Sequence, residues 1–70
     1  MTRGQHMRAC REAAGLSLRE LAEMTGVTFT TIHRLEMGYH EGNIVTIEIL
    51  ADALGVSIDE YIGHERRGKT

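Results

Sequence analysis

Five glycines divide this chain into short segments. Gly15, Gly26, Gly38, Gly55 and Gly63 each follow a stretch whose apolar residues recur at helical spacing, and there is no proline anywhere. A glycine just past a helix end reads as a stop, because it enters left-handed backbone without a Cβ penalty. The starts agree with the stops. Ser17 with Glu20, and Ser57 with Glu60, fit the S-x-x-E capping box, in which two orphan amides at a helix start are satisfied reciprocally. Thr28 and Asn43 are further N-cap candidates, without an acidic partner three residues on. The pattern predicts helices over 3–14, 18–25, 29–37, 44–54 and 58–62. No segment alternates apolar and polar residues long enough to make a strand, so the expected class is all-α, a compact five-helix domain.

The 3.6-residue period assigns inward faces. These are Met7 and Cys10 in the first helix, and Leu18, Leu21 and Ala22 in the second. Val27, Ile32 and Leu35 serve the third; Ile44, Ile47, Leu50, Ala51 and Leu54 serve the fourth; Val56, Ile58 and Ile62 complete the set. Seventy residues suffice for one domain and one core. That domain is placed at residues 3–62, with 63–70 read as a polar, frayed tail. Cys10 is the only cysteine, so no disulfide forms within the chain. A cytoplasmic location is expected, since small secreted domains usually carry paired cysteines. Unbroken apolar runs reach only three residues, too few to span a bilayer, and no export leader is read.

The formal net charge of −2 argues at first against nucleic acid, whose binding domains are often strongly basic. Its distribution reverses the argument. Residues 1–35 carry Arg3, Arg8, Arg11, Arg19 and Arg34 against Glu12, Glu20 and Glu23, a formal +2. Residues 36–70 carry seven acids against Arg66, Arg67 and Lys69, a formal −4.

The second and third helices are joined by a few residues around Gly26 and Val27. Small Ala22 suits a close helix crossing, Gly26 suits a sharp turn, and Leu21, Val27, Ile32 and Leu35 anchor both helices. That is the arrangement of a helix-turn-helix, whose second helix can enter a DNA major groove. Taken together, several pieces in order resemble the phage-repressor (Xre-like) helix-turn-helix domains over residues 4–62. They are Gly4, Met7, Arg11-Glu12, Gly15-Leu16-Ser17, Leu21-Ala22, Gly26-Val27-Thr28, Ile32, Leu35-Glu36-x-Gly38 and Leu50-Ala51-x-Ala53-Leu54-Gly55-Val56-Ser57. The resemblance implies a five-helix, lambda-repressor-like DNA-binding domain acting as a dimer on a two-fold-related operator. It also implies an ion pair between Arg11 and Glu36, fixing the recognition helix to the body.

Family recognition helices read bases through positions that match Phe29, Thr30 and Arg34, with His33 nearby. Arg34 has the chemistry for guanine O6 and N7, and Thr30 for a base edge or a thymine methyl. Phe29 has two readings, a thymine methyl contact or a ring that stabilises the turn; His33 is either a base contact or a solvated side chain. Phosphate contacts are expected from Ser17, Arg19, Thr28 and Thr31 with the helix N-terminal amides, and from Arg3 or Arg8, each arginine being otherwise a solvated charge. The chain differs from the family where Leu18 replaces a common glutamine, where residues 39–43 lack basic side chains, and where no proline precedes the fourth helix. Val45 and Ile49 lie off the inward stripe of the fourth helix; with Ile58 and Tyr61 they form a candidate dimer interface.

Catalytic readings find little. His6 and Cys10 share a helix face, but no second ligand pair completes a metal site, and no cofactor is expected. The expected function is a stand-alone transcriptional regulator, a repressor, binding double-stranded DNA as a homodimer. The alternatives are an antitoxin-type module with a protein partner, or the controller protein of a restriction–modification system.

Overall fold

The computed structural model describes residues 1–63. They form α1 (Arg3–Ala13), α2 (Leu18–Thr25), α3 (Phe29–Met37), α4 (Ile44–Leu54) and α5 (Ile58–Ile62), with no strand among the described residues. The class is all-α. The tail assigned to 63–70 lies outside the described residues from 64 onward.

Local chemistry accounts for the boundaries. Ser17/Glu20 and Ser57/Glu60 are reciprocal capping boxes. A third opens α1, where Thr2 accepts from the Gln5 N–H and the Gln5 side chain accepts from the Thr2 N–H. Glutamine serves there as glutamate does elsewhere. α1, α3 and α4 end in a Schellman motif, as where the Gly38 N–H bonds the Leu35 carbonyl and the Tyr39 N–H bonds the Arg34 carbonyl. α1 stops one residue before its expected end because Ala14 caps it.

The helices meet in an order different from their order in the chain. α1 lies against α3 and α5, α2 against α3 and α4, and α4 against α5. Followed from neighbour to neighbour, the contacts close a ring: α1, α3, α2, α4, α5 and back to α1. Every helix sends side chains inward, namely Met7, Leu21, Ile32 with Leu35, Ile47 with Leu50 and Ala51, and Tyr61. Each fully buried large apolar side chain contributes on the order of 1.5–3 kcal/mol.

Two positions depart from the expected faces. Tyr61, placed on a surface patch by the sequence, is fully buried. Ile58, Tyr61 and Ile62 share one side of a helix little longer than a turn, so the face that buries Ile58 and Ile62 also takes the ring between them. Tyr61 therefore forms no part of a dimer interface. Ile44, expected on the inward stripe, is 62% exposed. It is the first residue of α4, at the edge of the inward arc, and the preceding residues 40–43 are not helical.

Candidate functional site

The turn between α2 and α3 is built by side-chain oxygens as much as by glycine. Gly26 caps α2 at φ 79°, with its N–H on the Ala22 carbonyl. The Thr25 hydroxyl donates to the Leu21 carbonyl at 2.8 Å and accepts from the Val27 N–H at 3.2 Å, tying the turn back to the helix it leaves. Thr28 then caps α3, accepting from the Thr31 N–H at 3.3 Å and donating to the Thr31 hydroxyl at 2.8 Å. Thr31 occupies the place that glutamate holds in a capping box.

α3 is fixed from behind. Ile32 and Leu35 are buried in the core. Arg11 reaches across from α1 with a two-pronged grip on Glu36: Nε donates to Oε2 at 2.8 Å and an Nη to Oε1 at 3.0 Å, while its other Nη donates to the Leu16 carbonyl at 2.8 Å. The pair is buried, and the hydrogen bond to Glu36 raises the Arg11 pKa above its ordinary value. Gly4 of α1 packs directly on the end of α3. A Cβ there would strike the Glu36 carbonyl oxygen and sit 2.9 Å from that of Leu35.

With that side held, the other side of α3 is open: Phe29, Thr30, His33, Arg34 and Met37 are all exposed. Phe29 and His33, one turn apart, lie parallel with ring centroids 6.4 Å apart. The Arg19 guanidinium, from the first turn of α2, stands 5.8 Å over the Phe29 ring. Ser17, Thr28 and Thr31 sit at the starts of α2 and α3, the first two as caps. Arg8 is in an exposed ion pair with Glu12 at 3.0 Å, whereas Arg3, Arg19 and Arg34 make no ion pair among the described residues. A half-open cleft of about 580 Å³ between α1, the head of α2 and α3 is bordered by Gln5, Arg8, Leu18 and His33, with the Arg11–Glu36 pair among its lining. Leu18 gives it an apolar wall.

The family model described as helix-turn-helix matches residues 7–61. The chain belongs to the Xre/Cro-like helix-turn-helix family. Two relatives of this helix-turn-helix chain carry regulatory names. A Pyrobaculum aerophilum protein named as an HTH-type transcriptional regulatory protein is 41% identical over 59 residues, covering 84% of this chain and 24% of its own length. The uncharacterized HTH-type transcriptional regulator YonR, derived from the SPbeta prophage of Bacillus subtilis, is 32% identical over 56 residues, covering 80% of this chain and 52% of its own length. The chain thus spans about a quarter and about half of the relatives that it matches.

Away from the helix-turn-helix, Val45 and Ile49 of α4 are 59% and 41% exposed, while Ile58 is half-buried against the core. No helix among the described residues is long and apolar enough to cross a membrane. The local devices that sequence reasoning missed are Thr25 and the Thr2–Gln5 box, and Gly4, a piece of the resemblance, was given no packing role. The box has a readable signal, threonine with glutamine three residues on. Thr25 has a weaker one, a hydroxyl beside the turn glycine. The packing role of Gly4 has no local signal, because Leu35 and Glu36 lie 31 and 32 residues away in the chain.

Proposed function

We propose that this helix-turn-helix chain is the DNA-binding part of a transcriptional regulator, a repressor, acting on double-stranded DNA as a homodimer. One observation carries the reading: α3 is clamped on its inner side by Ile32, Leu35 and the Arg11–Glu36 grip, and bears only exposed side chains on its outer side. A recognition helix needs that combination, since base edges are read by a rigid helix face inserted in the major groove. Arg34 bonds guanine bidentately, and Thr30, His33 and Phe29 contact neighbouring bases. Ser17, Thr28 and Thr31 with the amides of the first turns of α2 and α3 hold phosphate, as does Arg19. Val45, Ile49 and Ile58 form the surface between two copies, which places two recognition helices roughly 34 Å apart on one side of the duplex.

Fluorescence anisotropy on mixed duplex DNA across a salt series tests this. Counterion release makes affinity fall steeply with log salt if several phosphates are contacted. Absence of binding to any duplex at low salt removes the reading. On the cognate site, Arg34→Ala is expected to cost about 1–3 kcal/mol and relax preference at one base.

The uncovered apolar face of α4, with Ile44, Val45 and Ile49 beside Glu48 and Asp52, also favours a second reading, an antitoxin-type module that binds a protein partner there. A chain that binds no duplex yet forms a heteromeric complex lost on Ile49→Asp would support it.

A further inference from the structure

Arg19 stands at the end of a helix that does not favour a positive charge. It lies in the first turn of α2, the positive end of the helix dipole, which favours carboxylates. The carboxylate beside it is already engaged, since Glu20 Oε1 accepts the Ser17 N–H at 2.8 Å in the capping box. No ion pair holds Arg19 among the described residues. What it meets is the Phe29 ring, 5.8 Å away across the turn. That ring is itself unusual, because it stays 45% exposed at the head of α3 instead of folding into the core. Its other ring neighbour is His33, parallel to it one turn along. Attraction of a guanidinium to an aromatic face supplies the hold that the helix end does not.

We propose that Phe29 is a positioning residue: its ring holds the Arg19 guanidinium on the exposed side of the turn, ready for a DNA phosphate, and His33 braces the ring. This rests on the DNA reading above and assigns Phe29 a role beyond touching a base. A free arginine must lose its rotamer freedom on binding, and an arginine already resting on a ring has lost part of it beforehand. Base contacts average out on mixed-sequence duplex, whereas phosphate contacts remain in full. The two roles of Phe29 are therefore separable.

The experiment is a double-mutant cycle of Phe29→Leu and Arg19→Gln, read as affinity for mixed duplex DNA over a salt series, with Phe29→Tyr as the conservative variant. Phe29→Leu is expected to weaken binding roughly two- to fivefold when Arg19 is present, the worth of an exposed cation–π contact. It should do almost nothing when Arg19 is already glutamine. Arg19→Gln should lower the salt slope by about 0.9, one phosphate, and Phe29→Tyr should keep the affinity of the parent. In the free protein, the Arg19 side-chain proton resonances should be shifted by the ring current, and that shift should vanish in Phe29→Leu at unchanged melting temperature. Equal losses from Phe29→Leu in both backgrounds, or an Arg19 without ring-current shift, would overturn the proposal while leaving DNA binding intact. A parent protein that binds no duplex at low salt overturns the DNA reading itself, and the phosphate role with it.

Discussion

The three acceptors of Arg11 lie on two different parts of the chain, the Glu36 carboxylate and the Leu16 carbonyl. A lysine keeps the charge but has no fork, so Arg11→Lys retains at most part of this set. Removing either partner strands a buried charge; Arg11→Met or Glu36→Leu alone is expected to cost about 3–5 kcal/mol, and the double variant to recover most of it. Urea midpoints at constant slope would show this, and additive losses would mean that the pair is not coupled. The pair was legible only through the family resemblance, since residues 25 apart share no local pattern. Tyr61 was misplaced for the opposite reason, a local pattern too short to define a face. Its hydroxyl is buried and has no hydrogen-bond partner among the described residues. Burial pushes the phenol well above its ordinary pKa, and the Glu36 carboxylate and Cys10 add to the effect. Below about pH 10 the phenol is protonated in both folded and unfolded chains and contributes no pH dependence. Above it the unfolded chain ionises first, so stability falls as pH rises. Tyr61→Phe should therefore be as stable as the parent or up to about 1–2 kcal/mol more stable at neutral pH. Melting curves should show its alkaline decline to be shallower, and a variant clearly less stable at neutral pH would mean that the hydroxyl has a partner.

Between elements, the closest approach is the crossing of α1 on the end of α3. Gly4→Ala gains helix propensity of up to about 1 kcal/mol. It also drives a Cβ into main-chain atoms, with the Glu36 carbonyl carbon 2.8 Å away, and main chain cannot step aside as a side chain can. Overpacking at about 1–3 kcal/mol outweighs the propensity. Thermal denaturation should show a lower melting temperature, roughly 4–8 °C for each kcal/mol in a domain of this size. A rise in melting temperature would mean that the crossing has slack. Helix starts and stops were legible because caps are chemistry between residues three or four apart. The end of α4 that leaves Ile44 exposed was not, because its face depends on which neighbours reach the first turn. The order in which the helices meet was not legible from periodicity either, since spacing tells a helix which side to bury and not against whom.

Across the described residues, positive charge separates from the acidic end of the fold. The described arginines all lie in α1–α3, while α4 and α5 carry Glu48, Asp52, Asp59 and Glu60 and no Arg or Lys. Under the proposed function, a phosphate backbone would be met on one side and repelled from the other, which orients a modestly acidic chain. The exposed Val45–Ile49 row lies on that acidic side. Ile49→Asp is expected to shift the sedimentation mass of the proposed dimer to that of a monomer, and to leave the melting temperature nearly unchanged only at dilutions where the parent is itself monomeric. A dimer that survives the substitution would place the interface elsewhere. The ring of helices has one more consequence. It closes where α1 meets α5, and His6 there touches Gly63. At 1.5 Å per residue, Thr2 lies only about 6 Å along the axis of α1 from that point. The first turn of α1 and the last turn of α5 thus lie side by side, so the helix order α4, α5, α1, α2, α3 would leave every helix the same two neighbours.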